Sequence, residues 1–198
     1  MIETVRLRPA KPSDARAIAR IHVETWRATY PGMVPDQTLI GMTVDGKAAS
    51  WRRALQRSGQ REIVLVAEAV EEGAQPGDTR AGDVVGFASA GPNRDGRLRF
   101  AGEVQTLYVL PDWQNQGIGR ALLMSLFERL VAQGCKSVII WVLRDNPGRF
   151  FYQRLGGREV QRKMFAVGGK KVEASAYAWP DLPGFLATKA NAERPPEP

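Results

Sequence analysis

A glycine-bearing turn between a predicted strand and a predicted helix constrains this chain more than any other feature. The extended run at 103–109 leads through Gln-Asn-Gln-Gly-Ile-Gly-Arg at 114–120 into an apolar helical run at 121–132. Such a turn leaves backbone N–H groups without carbonyl partners at the positive end of the helix dipole. Gly117 and Gly119 lack a Cβ atom, so a phosphate can approach the main chain closely. The turn therefore predicts a phosphate site, although an ordinary strand-to-helix turn would use the same residues.

Two other phosphate motifs do not fit the sequence. A P-loop needs GxxxxGK followed by Ser or Thr, and the chain contains no such run. A dinucleotide fingerprint needs GxGxxG at the start of the first strand–helix unit. Gly117 and Gly119 instead lie in the second half of the chain and follow a glutamine. The flanking residues must therefore decide between a binding site and a plain turn.

Those flanks resemble the GCN5-related N-acetyltransferase (GNAT) superfamily in order and spacing. The matching elements are Leu-Tyr-Val-Leu-Pro at 107–111, the QxxGxG pattern at Gln114, Gly117 and Gly119, Asn-Pro at 146–147, and the aromatic-Tyr-x-x-x-Gly element at 151–156. The N-terminal Arg-Pro-Ala at 8–10, with Asp14, Trp26 and Tyr30, resembles one bacterial branch more loosely. The likeness spans about residues 5–179 and implies a bacterial member of unassigned substrate.

The predicted elements and the resemblance imply an α/β (mixed α+β) fold. Its central mixed, mostly antiparallel sheet would contain splayed parallel central strands and carry flanking helices. Predicted strands lie at 4–8, 63–70, 84–90, 98–109, 137–143, 158–167 and 171–179, and predicted helices begin near 12, 45, 121 and 147. We expect a single GNAT-like acetyltransferase domain over residues 1–185 and a disordered tail over residues 186–198.

Composition narrows the functional classes. A chain of 198 residues with 43% hydrophobic content can bury one core. It has no apolar run long enough for a membrane span, no secretory leader pattern and a single cysteine, which predicts a cytoplasmic protein. The net charge of +7 is scattered rather than blocked, so nucleic acid is not the expected partner. We expect no metal.

The resemblance implies that acetyl-CoA is the cosubstrate and assigns residues to it. The pantetheine arm would pair with the strand backbone at Leu107, Tyr108 and Val109, and Asn146 would bond this arm or the acceptor. The pyrophosphate would lie on the turn formed by Gln114, Asn115, Gln116, Gly117, Ile118, Gly119 and Arg120. Arg120 and Arg149 are further candidate phosphate contacts, although exposed helix arginines are common. Asn146 also fits a simple turn before proline.

Tyr152 and Glu103 are the candidate catalytic residues. Tyr152 stands where the superfamily places the acid that protonates the thiolate, and its alternative role is core packing. Glu103 matches the glutamate base of some members. Period-two alternation would place it on one face with Gln105, Leu107 and Val109, towards the acceptor. A solvated glutamate, an ion pair or a water acting as base are the alternatives.

The function implied is direct acetyl transfer from acetyl-CoA to a primary amine of a small-molecule or amino-acid-like acceptor. A non-enzymatic acyl-CoA-binding regulatory module and an RNA-directed acetyltransferase are the alternatives. Aromatic residues that could line an acceptor pocket or pack in the core are Trp26, Tyr30, Trp51, Phe165, Tyr177 and Trp179. His22 is expected to be a helix-packing or a surface residue rather than a base, and homodimer formation is possible. The acceptor itself is not specified by the sequence.

Overall fold

The computed structural model describes residues 4–57, 62–70 and 79–192. The strands are β1 (Val5–Pro9), β2 (Ile63–Ala69), β3 (Val84–Pro92), β4 (Gly102–Val109), β5 (Val138–Leu143), β6 (Arg158–Val167) and β7 (Lys170–Trp179). The helices are α1 (Ala15–Thr29), α2 (Asp36–Ile40), α3 (Val44–Arg57), α4 (Ile118–Ala132), α5 (Arg149–Arg154) and α6 (Leu182–Ala192). The strands form one sheet in the order β1-β2-β3-β4-β5-β7-β6.

Helices cover both faces of this sheet. On one face, Phe87 of β3 packs against His22 of α1 and Trp51 of α3. The neighbouring residue, Gly86, instead approaches Leu122 of α4. Because successive strand residues point to opposite faces, α1 and α3 lie on one side and α4 on the other. The predicted mixed, mostly antiparallel sheet with flanking helices is confirmed, since within the described residues β4 and β5 form the single parallel pair.

A β-bulge in β4 separates the two parallel central strands. Residues 102–104 of β4 pair with residues 138–140 of β5, and the pairing stops there. On the other edge of β4, Val104 lies opposite Ala90 and Thr106 lies opposite Ser89, so Gln105 is an extra residue. An extra residue bends a strand and can end its pairing. The bulge therefore coincides with the point where the sheet opens.

Two predicted boundaries are wrong. The central strand begins at residue 102 rather than 98, because Leu98 closes a turn by donating its N–H to the carbonyl of Asp95 (3.1 Å). The disordered tail predicted from residue 186 is also wrong as far as residue 192, since these residues form most of α6. The side chain of Leu182 is fully buried, and the Phe185 ring lies 6.1 Å from that of Phe127. Residues 193–198 and most of the predicted 71–83 loop lie outside the described residues.

Candidate active site

The opening between β4 and β5 leads into a cavity of about 720 Å³. Its wall is formed by α1 and the loop that follows, by β4 and β5, by the turn into α4, and by α5. Along this wall β4 has lost its partner strand from Gln105 onwards. The N–H of Leu110 donates to the carbonyl of Val85 (2.9 Å), so strand alternation directs the main-chain groups of Leu107 and Val109 into the opening. The Val109 carbonyl is bonded there by the Gln114 side-chain amide, whereas no strand pairs with Leu107 on this side, so its main-chain groups can bond a ligand.

The turn at 114–120 has the geometry of an anion site. Asn115 and Gly117 have positive φ angles of 61° and 82°, and Gly117 is the N-cap of α4. The first intrahelical bond runs from the Ala121 N–H to the Gly117 carbonyl (3.0 Å), so the N–H groups of Ile118 and Gly119 precede the closed turn. A Cβ atom on Gly119 would make only ordinary contact with Phe151 (3.7 Å). The protein itself therefore leaves room for alanine there.

The structure brings most of the predicted turn residues to the cavity. Its lining includes Gln114, Asn115, Gly117, Gly119 and Arg120. The Gln114 side-chain amide donates to the Val109 carbonyl (3.0 Å), which ties the turn to the end of β4. Two predicted residues point elsewhere. Gln116 donates its side-chain amide to the Asp112 carbonyl (3.1 Å), and the Ile118 side chain is buried in the core, which leaves only its main chain for a ligand.

One predicted arginine is absent from the cavity lining and another takes its place. The guanidinium of Arg149 packs over the Phe150 ring at 4.7 Å, and Arg149 does not line the cavity. Arg154, on the same helix, does line it. Helical spacing could have indicated this, because Arg154 follows Phe151 by three residues and so shares its face.

Three tyrosines line the cavity. They are Tyr30, Tyr108 and Tyr152. The Tyr108 hydroxyl accepts a hydrogen bond from Nε1 of Trp26 (3.0 Å), and the Tyr30 hydroxyl accepts one from Nδ2 of Asn146 (3.4 Å). Burial raises the pKa of Tyr152, and the proximity of the Tyr30 phenol raises it further. All three phenols are consequently protonated donors near neutral pH.

Asn146 forms the predicted turn and also lines the cavity, while its bond to a ligand stays a prediction. Its Oδ1 atom accepts a hydrogen bond from the Gly148 N–H (2.8 Å), which is the expected turn before α5. Its Nδ2 atom reaches the Tyr30 hydroxyl, and the residue lines the cavity. Turn formation therefore fixes the amide in an orientation that also faces the site.

The predicted orientation of Glu103 is wrong. The bulge at Gln105 shifts the alternation by one residue, so Glu103 shares a strand face with Thr106 and not with Leu107. Glu103 lies in the paired part of β4, is 3% exposed and does not line the cavity. Its carboxylate accepts hydrogen bonds from the backbone N–H (3.0 Å) and Nε (3.1 Å) of Arg94. The ion pair that the sequence left open as an alternative is formed, with Arg94.

His22 is buried among aromatic rings, so it is a helix-packing residue rather than a surface residue. Its Nδ1 atom accepts a hydrogen bond from Nε1 of Trp51 (3.3 Å), and its ring lies 5.2 Å from that of Tyr108. Burial and, to a smaller extent, the positive charge of nearby Lys47 together lower the pKa of His22 to about 4. A group with this pKa is a weak base at neutral pH, so His22 is not suited to accept the proton of an amine.

The buried histidine predicts a specific acid sensitivity. In the unfolded chain His22 takes up a proton near its usual pKa of 6.5, whereas in the fold it stays neutral to about pH 4. Stability is therefore fully present above pH 6.5 and is lost as the pH falls towards 4. We expect the free energy of unfolding to drop by about 1 kcal/mol between pH 7 and 5.5. Urea denaturation at both pH values measures it. His22→Gln should flatten this dependence, and an unchanged slope would contradict the assignment.

The remaining aromatic candidates divide between site and core. Tyr30 lines the cavity, whereas Tyr177 and Trp179 are core residues. The Phe165 ring packs on Trp141 of β5 (5.1 Å), and Trp141 itself lines the cavity. Gln105, which strand alternation had placed on the face towards the acceptor, lines the cavity, whereas sequence reasoning missed Thr25 and Trp141 because neither belongs to a motif.

Residues 4–57, 62–70 and 79–192 contain no group of three or more His, Cys, Asp or Glu side chains arranged to hold a metal ion. None of the helices found within those ranges has the length and apolar character needed to cross a bilayer.

Comparison with known proteins gives a consistent picture. A model of the acetyltransferase (GNAT) family matches residues 50–157. The chain is 33% identical over 178 residues to the uncharacterized N-acetyltransferase YuaI of Bacillus subtilis, covering 90% of this chain and 94% of that protein. It is 35% identical over 91 residues to an L-methionine sulfoximine/L-methionine sulfone acetyltransferase of Pseudomonas aeruginosa, covering 46% of this chain and 52% of that protein. The structure of yncA from Salmonella typhimurium with acetyl-CoA superposes with a TM-score of 0.63 at 21% identity, covering 91% and 95% of the two chains.

Proposed function

Because the chain belongs to the acetyltransferase (GNAT) family and is an acetyl-CoA-dependent N-acetyltransferase, we propose that it acetylates a primary amine of a small or amino-acid-like molecule by direct transfer. The observation that carries this proposal is the opening in the sheet. The β4 backbone at Leu107, which has no partner strand on this side, is followed by Val109, whose carbonyl is bonded to the Gln114 side chain, and then by the amide groups at the start of α4. An amide-bearing arm that ends in phosphates matches this order of donors and acceptors.

Different residues would bind different parts of acetyl-CoA. Main-chain groups of β4 would pair with the pantetheine amides, and the N–H groups at Ile118 and Gly119 would donate to the pyrophosphate. Arg120 and Arg154 both line the cavity and would add positive charge for the phosphates. Asn146 would bond the arm close to its reactive end. The side chains of Gln116 and Arg149 have no part in this assignment.

Acetyl-CoA supplies an acetyl thioester: a C–N bond to the amine forms, the C–S bond breaks, and the products are the N-acetyl compound and CoA thiol. Tyr152 would donate its phenolic proton to the departing sulfur and recover a proton from water. The amine must be neutral to attack, and it then loses one N–H proton to water. Glu103 is left out of this step because Arg94 occupies its carboxylate. A β4 N–H would stabilise the charge that develops on the carbonyl oxygen.

The small-molecule assignment has its own support. The relative from Pseudomonas aeruginosa carries an amino-acid-like acceptor in its name, methionine sulfoximine or methionine sulfone. The cavity of about 720 Å³ must hold both the reactive end of the cofactor and the acceptor, which favours a small acceptor. We propose the cytoplasm as compartment, since the single cysteine, Cys135, is free. Homodimer formation stays a prediction.

Binding measurements test this function before any acceptor is known. Thermal shift and calorimetry with acetyl-CoA, CoA and NAD should give saturable stabilisation by the two CoA species alone, because a ligand raises the Tm only if it prefers the folded state. Absence of a shift with both CoA species would overturn the cofactor assignment.

A further inference from the structure

One wall of the cavity contains a buried hydroxyl that has no partner among the described residues. Thr25 of α1 lines the cavity and is 5% exposed. Its Oγ1 atom is buried and has no hydrogen-bond partner among the residues that the structure describes. Leaving such an atom unsatisfied costs about 1–3 kcal/mol, so a buried hydroxyl on a cavity wall indicates a ligand group that completes it.

This Thr25 wall is also uncharged. Along with Thr25 it presents Ala28, Thr29 and Met33 from α1 and the following loop, and Gln105 and Trp141 from the central strands. The described residues that line the cavity include no Asp, Glu, Lys or His, and its two arginines, Arg120 and Arg154, are assigned to the phosphates. Nothing on this wall could therefore neutralise a bound ammonium group.

The charged groups around this wall are turned away or carry the same sign as an ammonium. The carboxylate of Glu103 is bound by Arg94, and that of Asp95 is paired with Nζ of Lys163 at 2.7 Å. Lys47 places its ammonium 5.9 Å from the centre of the Trp26 ring. An alkylammonium entering the site would be desolvated without a counter-charge, which is strongly unfavourable.

We infer that the acceptor is a weakly basic amine that enters neutral, with Thr25 Oγ1 accepting a hydrogen bond from its N–H group. The α-amino group of a peptide or amino-acid amide has a pKa near 8, whereas an alkylamine such as lysine has one near 10.4. At pH 7.5 the neutral fraction of the former is larger by roughly two orders of magnitude. This inference rests on the proposed function. It specifies the substrate class as compounds with an α-amino group, in which the carbon that bears the amine is bonded to a carbonyl group.

Thr25→Val tests the contact, because valine keeps the shape and removes the hydroxyl. We expect kcat/KM for the amine to fall about tenfold, mainly through its KM, while the Kd for acetyl-CoA stays within twofold. Folding stability should not fall, since the hydroxyl that is removed has no partner in the fold. In Thr106→Val the same change removes a hydroxyl that is hydrogen-bonded to Ser89 (2.7 Å), so that variant should lose stability. Unchanged amine kinetics in Thr25→Val would overturn the contact.

Phenylalaninamide, phenethylamine and spermidine, assayed for CoA thiol release at pH 7.5, test the substrate class. Phenylalaninamide should exceed both alkylamines at least tenfold in kcat/KM. Faster turnover of phenethylamine or spermidine would overturn the class and leave the acetyltransferase assignment intact. Acetyl-CoA binding without thiol release from any of the three amines would also overturn it. Failure to bind acetyl-CoA would instead overturn the proposed function.

Discussion

Gly119→Ala is expected to weaken acetyl-CoA binding at least tenfold while raising the melting temperature of the protein. In the fold a Cβ atom at this position meets nothing closer than Phe151 at 3.7 Å. Replacing a helical glycine by alanine stabilises a protein by about 0.4–1 kcal/mol, or ~1–4 °C for a chain of this size. The same methyl group would hold a phosphate away from the N–H groups, and each charged hydrogen bond lost costs about 1.5–3 kcal/mol.

Gly117→Ala provides the matched comparison in the same turn. Its φ of 82° lies in the left-handed region, where a side chain costs about 1–2 kcal/mol, so this variant should melt earlier. Calorimetry and thermal melts of both variants separate the effects, because binding should weaken in both while stability moves in opposite directions. If Gly119→Ala bound acetyl-CoA as tightly as the parent, the phosphate assignment of the turn would be wrong.

Tyr152→Phe should lower kcat by about a hundredfold without changing the Kd for acetyl-CoA. A positioned general acid contributes about 10²–10⁴ in rate. Burial raises the pKa of Tyr152, so the phenol keeps its proton as the pH rises from 7 to 10 and the parent enzyme should not lose activity there through this group. The measurement is steady-state thiol release, with phenylalaninamide as acceptor, across this pH range.

Tyr177→Phe is the control for this variant. Tyr177 is equally buried, and its ring lies 6.3 Å from that of Tyr152. Its hydroxyl accepts a hydrogen bond from Nε2 of Gln153 (3.4 Å), and it does not line the cavity. A hundredfold loss confined to Tyr152→Phe would support the acid role, whereas equal rates in both variants and the parent would mean that the thiolate leaves unaided.

Periodicity and turn chemistry predicted most of the fold, because they act within a few residues. The final hairpin was placed within one residue of β6 and β7, and the strand-to-helix turn was located by its glycines. Helix α6 was missed because its formation depends on contacts with other elements. The Phe185 ring packs on the rings of Phe127 in α4 and Trp179 in β7, and Leu182 is buried in the same core.

The sequence predicted those parts of the candidate site that depend on local backbone geometry. It missed those that depend on how distant elements pack together. The turn at 114–120 was located from its glycines and the helix that follows, which are features of neighbouring residues. Glu103 was named from the family resemblance and oriented by strand alternation, but the bulge places it on the other strand face. Arg149 was a candidate phosphate contact, but its guanidinium packs over the Phe150 ring. Thr25 belongs to no motif, and only its place on the cavity wall identifies it.

The extra residue in β4 also has a consequence for cosubstrate binding. Gln105 lengthens β4 relative to β3, so the opening between β4 and β5 results from the number of residues in the strand and does not depend on a hinge motion. The sheet remains continuous on either side of the opening, and the Gln114 side chain ties the end of β4 to the turn at 114–120. Because these contacts within the fold hold the opening in place, we expect acetyl-CoA binding to cost little conformational entropy.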